Sequence, residues 1–365
     1  MLAALIGLGC AGAASGSARW TSSDLAALSS VAAAAPAEGV SGAYLAEVPD
    51  ADADADADAR ADAAAMALAR DFYEGSSNIR GDRSWHIERG DLDYRAWLDD
   101  ALSHHSLRAS FHSLLPAMPA YAVLKHALAD CRAKVAQTQC GTLVANLDRL
   151  RAMPRDLGRR YLWVNVPAFR LDLVEDGRVV ASHRVIVGKP GTQTPSFRAV
   201  VTGVTINPWW NVPCSIVDES VGKLIATNPA EAARRGYVAS RDAKGRLVVR
   251  QKPGPNNALG QIKLEMPNPF GVYIHDTPSR NLFEHGSRAF SHGCIRTEDP
   301  KSLAVTLLGS DREATVELLL GTGASRTLKL PQAVPVYVLY MTAEADPSAP
   351  DGVATYTDIY HRDPR

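Results

Sequence analysis

Residues 161–188 read YLWVNVPAFRLDLVEDGRVVASHRVIVG, and this stretch decides the fold class. It contains runs rich in β-branched, aromatic and leucine residues, and Glu175-Asp176-Gly177 between two of them is a hairpin-turn sequence. The runs are 161–166, 170–174 and 179–188. After glycine and proline breakers, residues 199–206 (AVVTGVTI) resume the strand pattern. Short strands punctuated by turns predict a mainly antiparallel β-sandwich.

The chain before this stretch divides by composition. Residues 1–18 are apolar or small and end before Arg19, which is typical of a secretory signal, so we expect an exported protein. Residues 19–65 are rich in Ala, Ser, Gly and Asp and include an Asp–Ala alternation at 50–59. That alternation offers no apolar face to bury, which predicts a disordered tether. Across 66–158, leucines recur at helix-like intervals between prolines, which predicts a small helical domain.

Length and charge narrow the function classes. The chain has 365 residues, of which 46% are hydrophobic, enough for a large core and about two folded units. Its formal net charge is −1 at pH 7, so it has no basic field to bind a nucleic acid backbone. After the N-terminal segment no run approaches the ~20 apolar residues of a membrane span, so we expect no transmembrane segment in the mature chain.

A thiol stands beside an imidazole in Ser291-His292-Gly293-Cys294-Ile295-Arg296, and Tyr273-Ile274-His275-Asp276 lies upstream. Cysteine attacks carbonyls as the thiolate, and a nearby histidine and arginine are the groups that lower a thiol pKa. We therefore expect Cys294 to be a nucleophile. In an extended segment His292 would share a face with Cys294, whereas His275 would lie on a neighbouring strand. Residue geometry alone leaves either histidine open as the base.

His275, the residues that follow it and the segment from Ser291 to Arg296 resemble the active-site signature of the L,D-transpeptidase (YkuD) family. The segments NPWWNVP at 207–213 and MPNPFG at 266–271 resemble segments of the large Gram-negative periplasmic members. The resemblance runs from about Tyr161 to about Tyr360. It implies an α+β protein in which a YkuD-type catalytic domain follows a small helical domain. The implied segments are a catalytic domain at 159–342, a lid insertion at about 214–263 and a C-terminal extension at 343–365.

The resemblance also implies roles for single residues. Cys294 would be the nucleophile and His275 its base, with the backbone carbonyl of Asp276, rather than its carboxylate, orienting the imidazole. Backbone N–H groups around Gly293 and Cys294 would stabilise the oxyanion, and the Tyr273 hydroxyl is a further candidate. Packing across the sheet is an equally open role for Tyr273.

Substrate contacts are expected from a further set of residues. Arg296 would bind a substrate carboxylate or carbonyl with its planar guanidinium, unless it ties down Asp276 or Glu298 instead. A buried tryptophan in a sheet is more often part of the core than of a cleft. The other expected cleft residues are Ser291, His292, Trp209, Trp210 and Asn211.

The resemblance implies a periplasmic peptidoglycan L,D-transpeptidase that works without cofactor or metal. A donor peptide stem would acylate Cys294, an amine of an acceptor stem would resolve the thioester, and carbapenem β-lactams would acylate the same thiol. An L,D-carboxypeptidase with the same site is the alternative, since only water replaces the amine. A non-catalytic wall-binding module also stays open. A zinc site built from His275, His285, His292 and Cys294 has the residue types but poor spacing.

The number and spacing of the other cysteines predict which of them are paired. Cys131 and Cys140 lie close in sequence within the helical region and are expected to form a disulfide in an oxidising compartment. Cys214 is expected to be buried and unreactive, and a regulatory bridge from Cys214 to Cys294 is the alternative.

Overall fold

The computed structural model describes residues 19–49, 56–134 and 140–364. The expected signal at 1–18 lies outside these residues, as does part of the Asp–Ala alternation. The α-helices are α1 Ser22–Ala34, α2 Ala57–Glu74, α3 Ser77–Arg80, α4 Tyr94–Ser103, α5 Leu107–Ser113, α6 Pro119–Lys134, α7 Gly141–Arg151, α8 Cys214–Ile216, α9 Gly222–Thr227, α10 Pro229–Arg234, α11 Pro300–Leu308 and α12 Glu313–Thr322. Throughout the described part of the chain, no helix combines the length and the apolar character that crossing a bilayer requires.

The strands lie mostly in the second half of the chain. They are β1 Trp85–His86, β2 Arg160–Asn165, β3 Arg170–Glu175, β4 Arg178–Gly188, β5 Ser196–Ile206, β6 Trp210–Asn211, β7 Tyr237–Arg241, β8 Leu247–Gln251, β9 Ile262–Glu265, β10 Ile274–His275, β11 Ala289–Ser291, β12 Ile295–Thr297, β13 Arg326–Leu339, β14 Ala343–Ala345 and β15 Val353–Thr355. Short 3-10 turns and one π-helical turn, Val217–Val221, connect several of them.

The described residues form two compact units, one within Met1–Tyr73 and Asp91–Leu115 and the other within Glu74–Gly90 and Pro116–Arg365. The first unit is helical and consists of α1, most of α2, α4 and α5. Its apolar core includes the fully buried side chains of Leu28, Leu68, Leu98 and Phe111.

The prediction of a disordered tether at 19–65 is wrong for the described part of that range, which contains α1 and the start of α2. Thr21 begins α1 with a capping box, in which its hydroxyl and the Asp24 carboxylate satisfy each other's backbone amides. Ala61 and Ala65 on α2 are buried. Alanine is a strong helix former and lets helices approach closely, so an alanine-rich segment packs here although it carries few large apolar residues.

The second unit is built on one sheet whose pairing closes on itself. The order is β5-β13-β2-β3-β4-β12-β10-β9, and β9 pairs again with β5. Most pairs are antiparallel, although β13 with β2 and β10 with β12 run parallel. The α+β class and the mainly antiparallel sheet are confirmed, with the difference that the strands close into a ring rather than two separate layers. Its interior is apolar and includes Leu162, Val164, Leu171, Val185 and Ile295.

The predicted boundaries of the helical domain and of the C-terminal extension differ from those of the structure. Helices α6 and α7 belong to the second unit, and so do the residues after 342. Asn146 on α7 accepts a hydrogen bond from the Thr342 amide at 2.9 Å, and Arg149 pairs with Asp363 at 2.8 Å. These long-range polar contacts join segments that composition alone assigns to different domains. The expected disulfide between Cys131 and Cys140 is confirmed.

The insertion between β5 and β9 folds around its own apolar cluster. Strands β6, β8 and β7 form a separate small sheet in that order. One face of this sheet packs with α8 to α9 around Trp210, Val217, Val221, Val249 and Leu259. Tyr273, next to β10, packs against the same cluster. The insertion is therefore a folded subdomain that contacts the strand carrying the motif histidine.

Candidate active site

Two neighbouring strands bring the two sequence motifs together. Strand β10 runs parallel to β12, with Ile274 opposite Ile295 and His275 opposite Arg296. The isoleucines are fully buried and fix this register from the core side. Cys294 immediately precedes β12, and its sulfur lies 3.8 Å from the carbonyl oxygen of Gly271. The thiol is therefore held against the backbone that leads into the strand of His275.

The turn that presents the cysteine is fixed by side-chain hydrogen bonds. Gly293 has a φ of 110°, a backbone conformation that a residue with a side chain adopts with strain. The Ser291 hydroxyl donates to the carbonyl of Cys294 at 2.6 Å and accepts from the Gly293 amide at 3.0 Å. Thr194 donates to the carbonyl of Gly293 at 2.8 Å. Ser291 is only 1% exposed, so the structure places it in support of the turn and not on the cleft surface where it is predicted.

His275 is buried and neutral at pH 7. Burial lowers the pKa of its imidazole to about 3, and the nearby Arg296 guanidinium adds to this shift. The Nδ1 atom lies at hydrogen-bond distance from the backbone oxygen of Asp276. A carbonyl only accepts, so Nδ1 carries the proton and Nε2 keeps the lone pair that a base needs.

The carboxylate of Asp276 has a different task from its carbonyl. It accepts from the amides of Gln261 at 2.8 Å and Thr277 at 2.6 Å, and it pairs with Arg280 at 2.9 Å. Gly260 makes this arrangement possible, because a Cβ there would lie 2.3 Å from the Asp276 side chain. The carboxylate therefore anchors the chain after β10, while the carbonyl contacts the histidine. A glycine before a strand carries no recognisable motif, so sequence reasoning missed Gly260.

The Cys294 thiol is half-buried, and burial raises its pKa. The Tyr273 amide, Arg296 and Lys263 act in the opposite direction without reversing the shift. The expectation that neighbouring groups lower this pKa overall is therefore wrong, because desolvation is the larger effect. The resting site holds a neutral thiol and a neutral imidazole. Attack on a carbonyl then requires a base to remove the thiol proton as the bond forms.

Arg296 is the cation nearest in sequence to the thiol, and it is not paired with the carboxylates considered for it. Asp276 pairs with Arg280, and Glu298 pairs with Arg184. Among the described residues the Nε atom of Arg296 is buried and has no hydrogen-bond partner. A buried guanidinium nitrogen without a partner is costly, which favours an anionic or carbonyl ligand at this position.

Lys263 is a charged neighbour that sequence reasoning missed. It lies opposite His275 in the antiparallel pair of β9 and β10. Its Nζ is 4.5 Å from the centroid of the Tyr273 ring and 3.1 Å from a carboxylate oxygen of Glu265. Burial raises the pKa of Tyr273, so its hydroxyl stays protonated at pH 7 and can donate. The only available signal was a lysine in an alternating strand pattern.

The predicted cleft residues fall in different places. His292 is exposed and its Nε2 lies 3.0 Å from Glu219 of the insertion. Trp210 is 9% exposed and belongs to the core of the insertion, so it does not line a cleft as predicted. Trp209 is more exposed, and the guanidinium of Arg250 lies 4.5 Å from its ring centroid. Asn211 is exposed and pairs with Arg250 in the small sheet.

Two further expectations concern the state of Cys214 and the binding of a metal. Cys214 is exposed and unpaired, so the prediction that it is buried is wrong: it begins a helix at the surface of the insertion. It forms no bridge to Cys294. Within residues 19–49, 56–134 and 140–364, no three His, Cys, Asp or Glu side chains are grouped so that they could hold a metal ion.

Comparison with known proteins identifies the strand-rich part of the chain. Residues 159–337 match the model of the YkuD L,D-transpeptidase catalytic domain, and residues 16–128 match a model described as a scaffold domain. A curated Haemophilus influenzae protein, provisionally named an L,D-transpeptidase, is 30% identical over 240 residues, which cover 60% of this chain and 48% of that protein. The chain thus spans about half the length of this relative.

Solved structures of L,D-transpeptidases are also similar. A mutant enzyme of Enterococcus faecium is 16% identical over 52% of this chain and 52% of its own, with a TM-score of 0.27. The ertapenem-acylated catalytic domain from E. faecium is 16% identical over 50% of this chain and 99% of its own, with a TM-score of 0.24. From the match to the family model, residues 159–337 are identified as a catalytic domain of the L,D-transpeptidase (YkuD) family.

Proposed function

We propose that this protein is a peptidoglycan L,D-transpeptidase that acts through a thioester on Cys294. The observation that carries the proposal is the register of β10 and β12, which sets His275 opposite Arg296 and next to the strand that presents the thiol. A neutral base, a half-buried thiol and a guanidinium whose Nε lacks a protein partner among the described residues are together suited to acyl transfer.

In the first step His275 removes the thiol proton while the sulfur attacks a carbonyl of the donor peptide stem. The carbonyl oxygen becomes negative, and the amide of Cys294 and the hydroxyl of Tyr273 are the donors proposed to stabilise it. The Gly293 amide already donates to Ser291, which leaves it less suited to this role. The C–N bond then breaks, and the D-amino acid departs with the proton that His275 returns to its nitrogen.

In the second step an amine on the side chain of an acceptor stem attacks the thioester. His275 removes a proton from this amine, a new amide bond forms, and the thiol is released with that proton. Arg296 is proposed to bind a carboxylate of the stem, because its Nε atom lacks a protein partner among the described residues. No metal or cofactor is required for either step.

A carbapenem tests the nucleophile, because opening of its strained ring would leave an adduct on the attacking sulfur. Intact-mass spectrometry after incubation with meropenem should show one adduct on the parent protein and none on Cys294→Ala. Cys214→Ala is the matched control, since Cys214 is the other free cysteine that the structure describes, and it should keep the adduct. An adduct that persists on Cys294→Ala contradicts the proposal.

The nature of the acceptor distinguishes a transpeptidase from an L,D-carboxypeptidase, which would use water on the same thioester. Incubation with purified peptide stems should give cross-linked dimers, identified by mass spectrometry. Shortened monomers as the sole products would instead establish the carboxypeptidase.

We also place the protein in the periplasm, because the disulfide between Cys131 and Cys140 is suited to an oxidising compartment.

A further inference from the structure

Three strands align two cations with the histidine of the candidate site. Strand β10 lies between β9 and β12, and His275 is paired directly with Lys263 on one side and with Arg296 on the other. Directly paired residues on adjacent strands project from the same face of a sheet. Ile262 and Leu264, which flank Lys263, are buried in the core of the ring. The lysine therefore projects away from that core, on the face that carries the imidazole.

Lys263 is also held in place. Its side chain is only 18% exposed, and its Nζ lies 3.1 and 3.2 Å from the two carboxylate oxygens of Glu265. Glu265 in turn accepts from the Thr205 hydroxyl at 2.5 Å. On its other side the ammonium lies 4.5 Å from the ring centroid of Tyr273, whose backbone adjoins the sulfur of Cys294. These contacts restrain the ammonium next to the candidate site.

Stability alone is a poor reason for a lysine at this position. A partly buried ion pair loses much of its Coulomb attraction to desolvation, and apolar pairs of similar size are often at least as stable. A fixed positive charge has a different benefit where negative charge develops during a reaction. The contacts with Glu265 and Tyr273 hold the Lys263 ammonium beside the site.

We infer that Lys263 is an electrostatic positioning residue that stabilises the negative charge that forms on the Cys294 sulfur. The inference rests on the proposed function only for the identity of the nucleophile. The nearby ammonium lowers the pKa of the thiol, which is the direction that this role requires. Glu265 moderates the effect because its carboxylate partly cancels the lysine charge.

The test measures the rate at which iodoacetamide alkylates Cys294 as a function of pH, without substrate, in a Cys214→Ala background. Lys263→Gln should move the inflection to higher pH and slow alkylation at pH 7.5 about fivefold. Glu265→Gln should move it to lower pH and accelerate alkylation, because the lysine charge is no longer cancelled. Lys263→Arg keeps the charge and should stay close to the parent protein. Thermal unfolding of each variant controls for folding.

Opposite shifts in the two glutamine variants support the inference, because a purely structural pair would affect both in the same direction. The inference is overturned if both variants shift the inflection the same way, or if Lys263→Gln leaves it unchanged while the protein stays folded. Opposite shifts in a protein that forms neither cross-links nor a carbapenem adduct would contradict the proposed function and leave the role of Lys263 intact.

Discussion

The Nε2 atom of His292 lies 3.0 Å from the Oε2 atom of Glu219, and this pair joins the cysteine motif to the insertion. Glu219 lies on the π-helical turn Val217–Val221, a type of irregularity often found at functional sites. The two side chains are 39% and 54% exposed, so the pair contributes little to the stability of the fold. The pair matters for its position, because it connects the insertion with the turn that carries Cys294.

Removing the contact between Glu219 and His292 should make the thiol more accessible. Glu219→Ala removes a contact worth at most about 1 kcal/mol, enough to raise the population of an open insertion up to about fivefold. We expect alkylation of Cys294 at pH 7.5 to become about two to five times faster, with an unchanged melting temperature. Glu231→Ala is the control, because among the described residues Glu231 pairs with Arg234 and Arg235 at the end of α10 and not with the cysteine motif. Equal rates in both variants would show that the pair does not restrain the insertion.

The rate of acylation should not decline near pH 6.5, as it would if a histidine with an ordinary pKa acted as the base. His275 has its pKa lowered to about 3, so the neutral, basic form is present from pH 5 upward and is not lost near pH 6.5. As the pH is lowered from 8 to 5, the rate of meropenem acylation should not decline with a midpoint near 6.5. A sigmoidal loss of rate with that midpoint would show that His275 is not the working base.

The same shift predicts how stability depends on pH. The unfolded histidine binds a proton below about pH 6.5, whereas folded His275 does not until about pH 3. Between these values the unfolded state binds more protons, so the free energy of unfolding should decrease as the pH falls from 6.5 toward 3. Urea titrations at pH 7 and pH 4.5 measure this decrease. It should be smaller in His275→Gln, which has no proton to bind.

The strands of the catalytic domain could be predicted from sequence because local pattern and tertiary packing agree there. The three runs between 161 and 188 match β2, β3 and β4 to within a residue or so at each end. Asp176 and Gly177 have φ values of 47° and 76°, as the turn sequence between the last two runs requires. The cysteine and histidine motifs could also be recognised, because their residue types carry the chemistry.

What sequence could not provide depends on register and burial. The roles of Lys263 and Gly260 follow from which residues face His275 and Asp276 across the sheet, and no local pattern encodes that pairing. The raised pKa of Cys294 follows from desolvation, which only a folded environment can produce. Helix α1 was missed because its alanines, which pack closely in the fold, resemble a low-complexity linker in sequence.

The carboxylate of Asp276 should matter for folding more than for chemistry. Asp276→Asn removes the ion pair with Arg280 and leaves one of the two backbone amides facing an NH2 donor instead of an acceptor, but it keeps the main-chain carbonyl that contacts His275. We expect a loss of about 1–3 kcal/mol in the free energy of unfolding and a meropenem acylation rate within about fivefold of the parent. His275→Gln is the comparison and should lower that rate about 100-fold or more. A loss of rate as large in Asp276→Asn would mean that the carboxylate itself supports the base.

Gly260 should be among the least replaceable glycines of the insertion. Its φ is 62°, and an added Cβ would lie 2.3 Å from Asp276, so Gly260→Ala combines backbone strain with a clash. We expect a loss of about 3 kcal/mol in the free energy of unfolding. Gly245→Ala is the matched control, because Gly245 also has a positive φ, 76°, but no atom lies within 4 Å of the added Cβ. This control isolates the backbone cost, about 1 kcal/mol. Similar losses in the two variants would show that the chain around Gly260 yields without cost, and would remove the argument that this glycine positions Asp276.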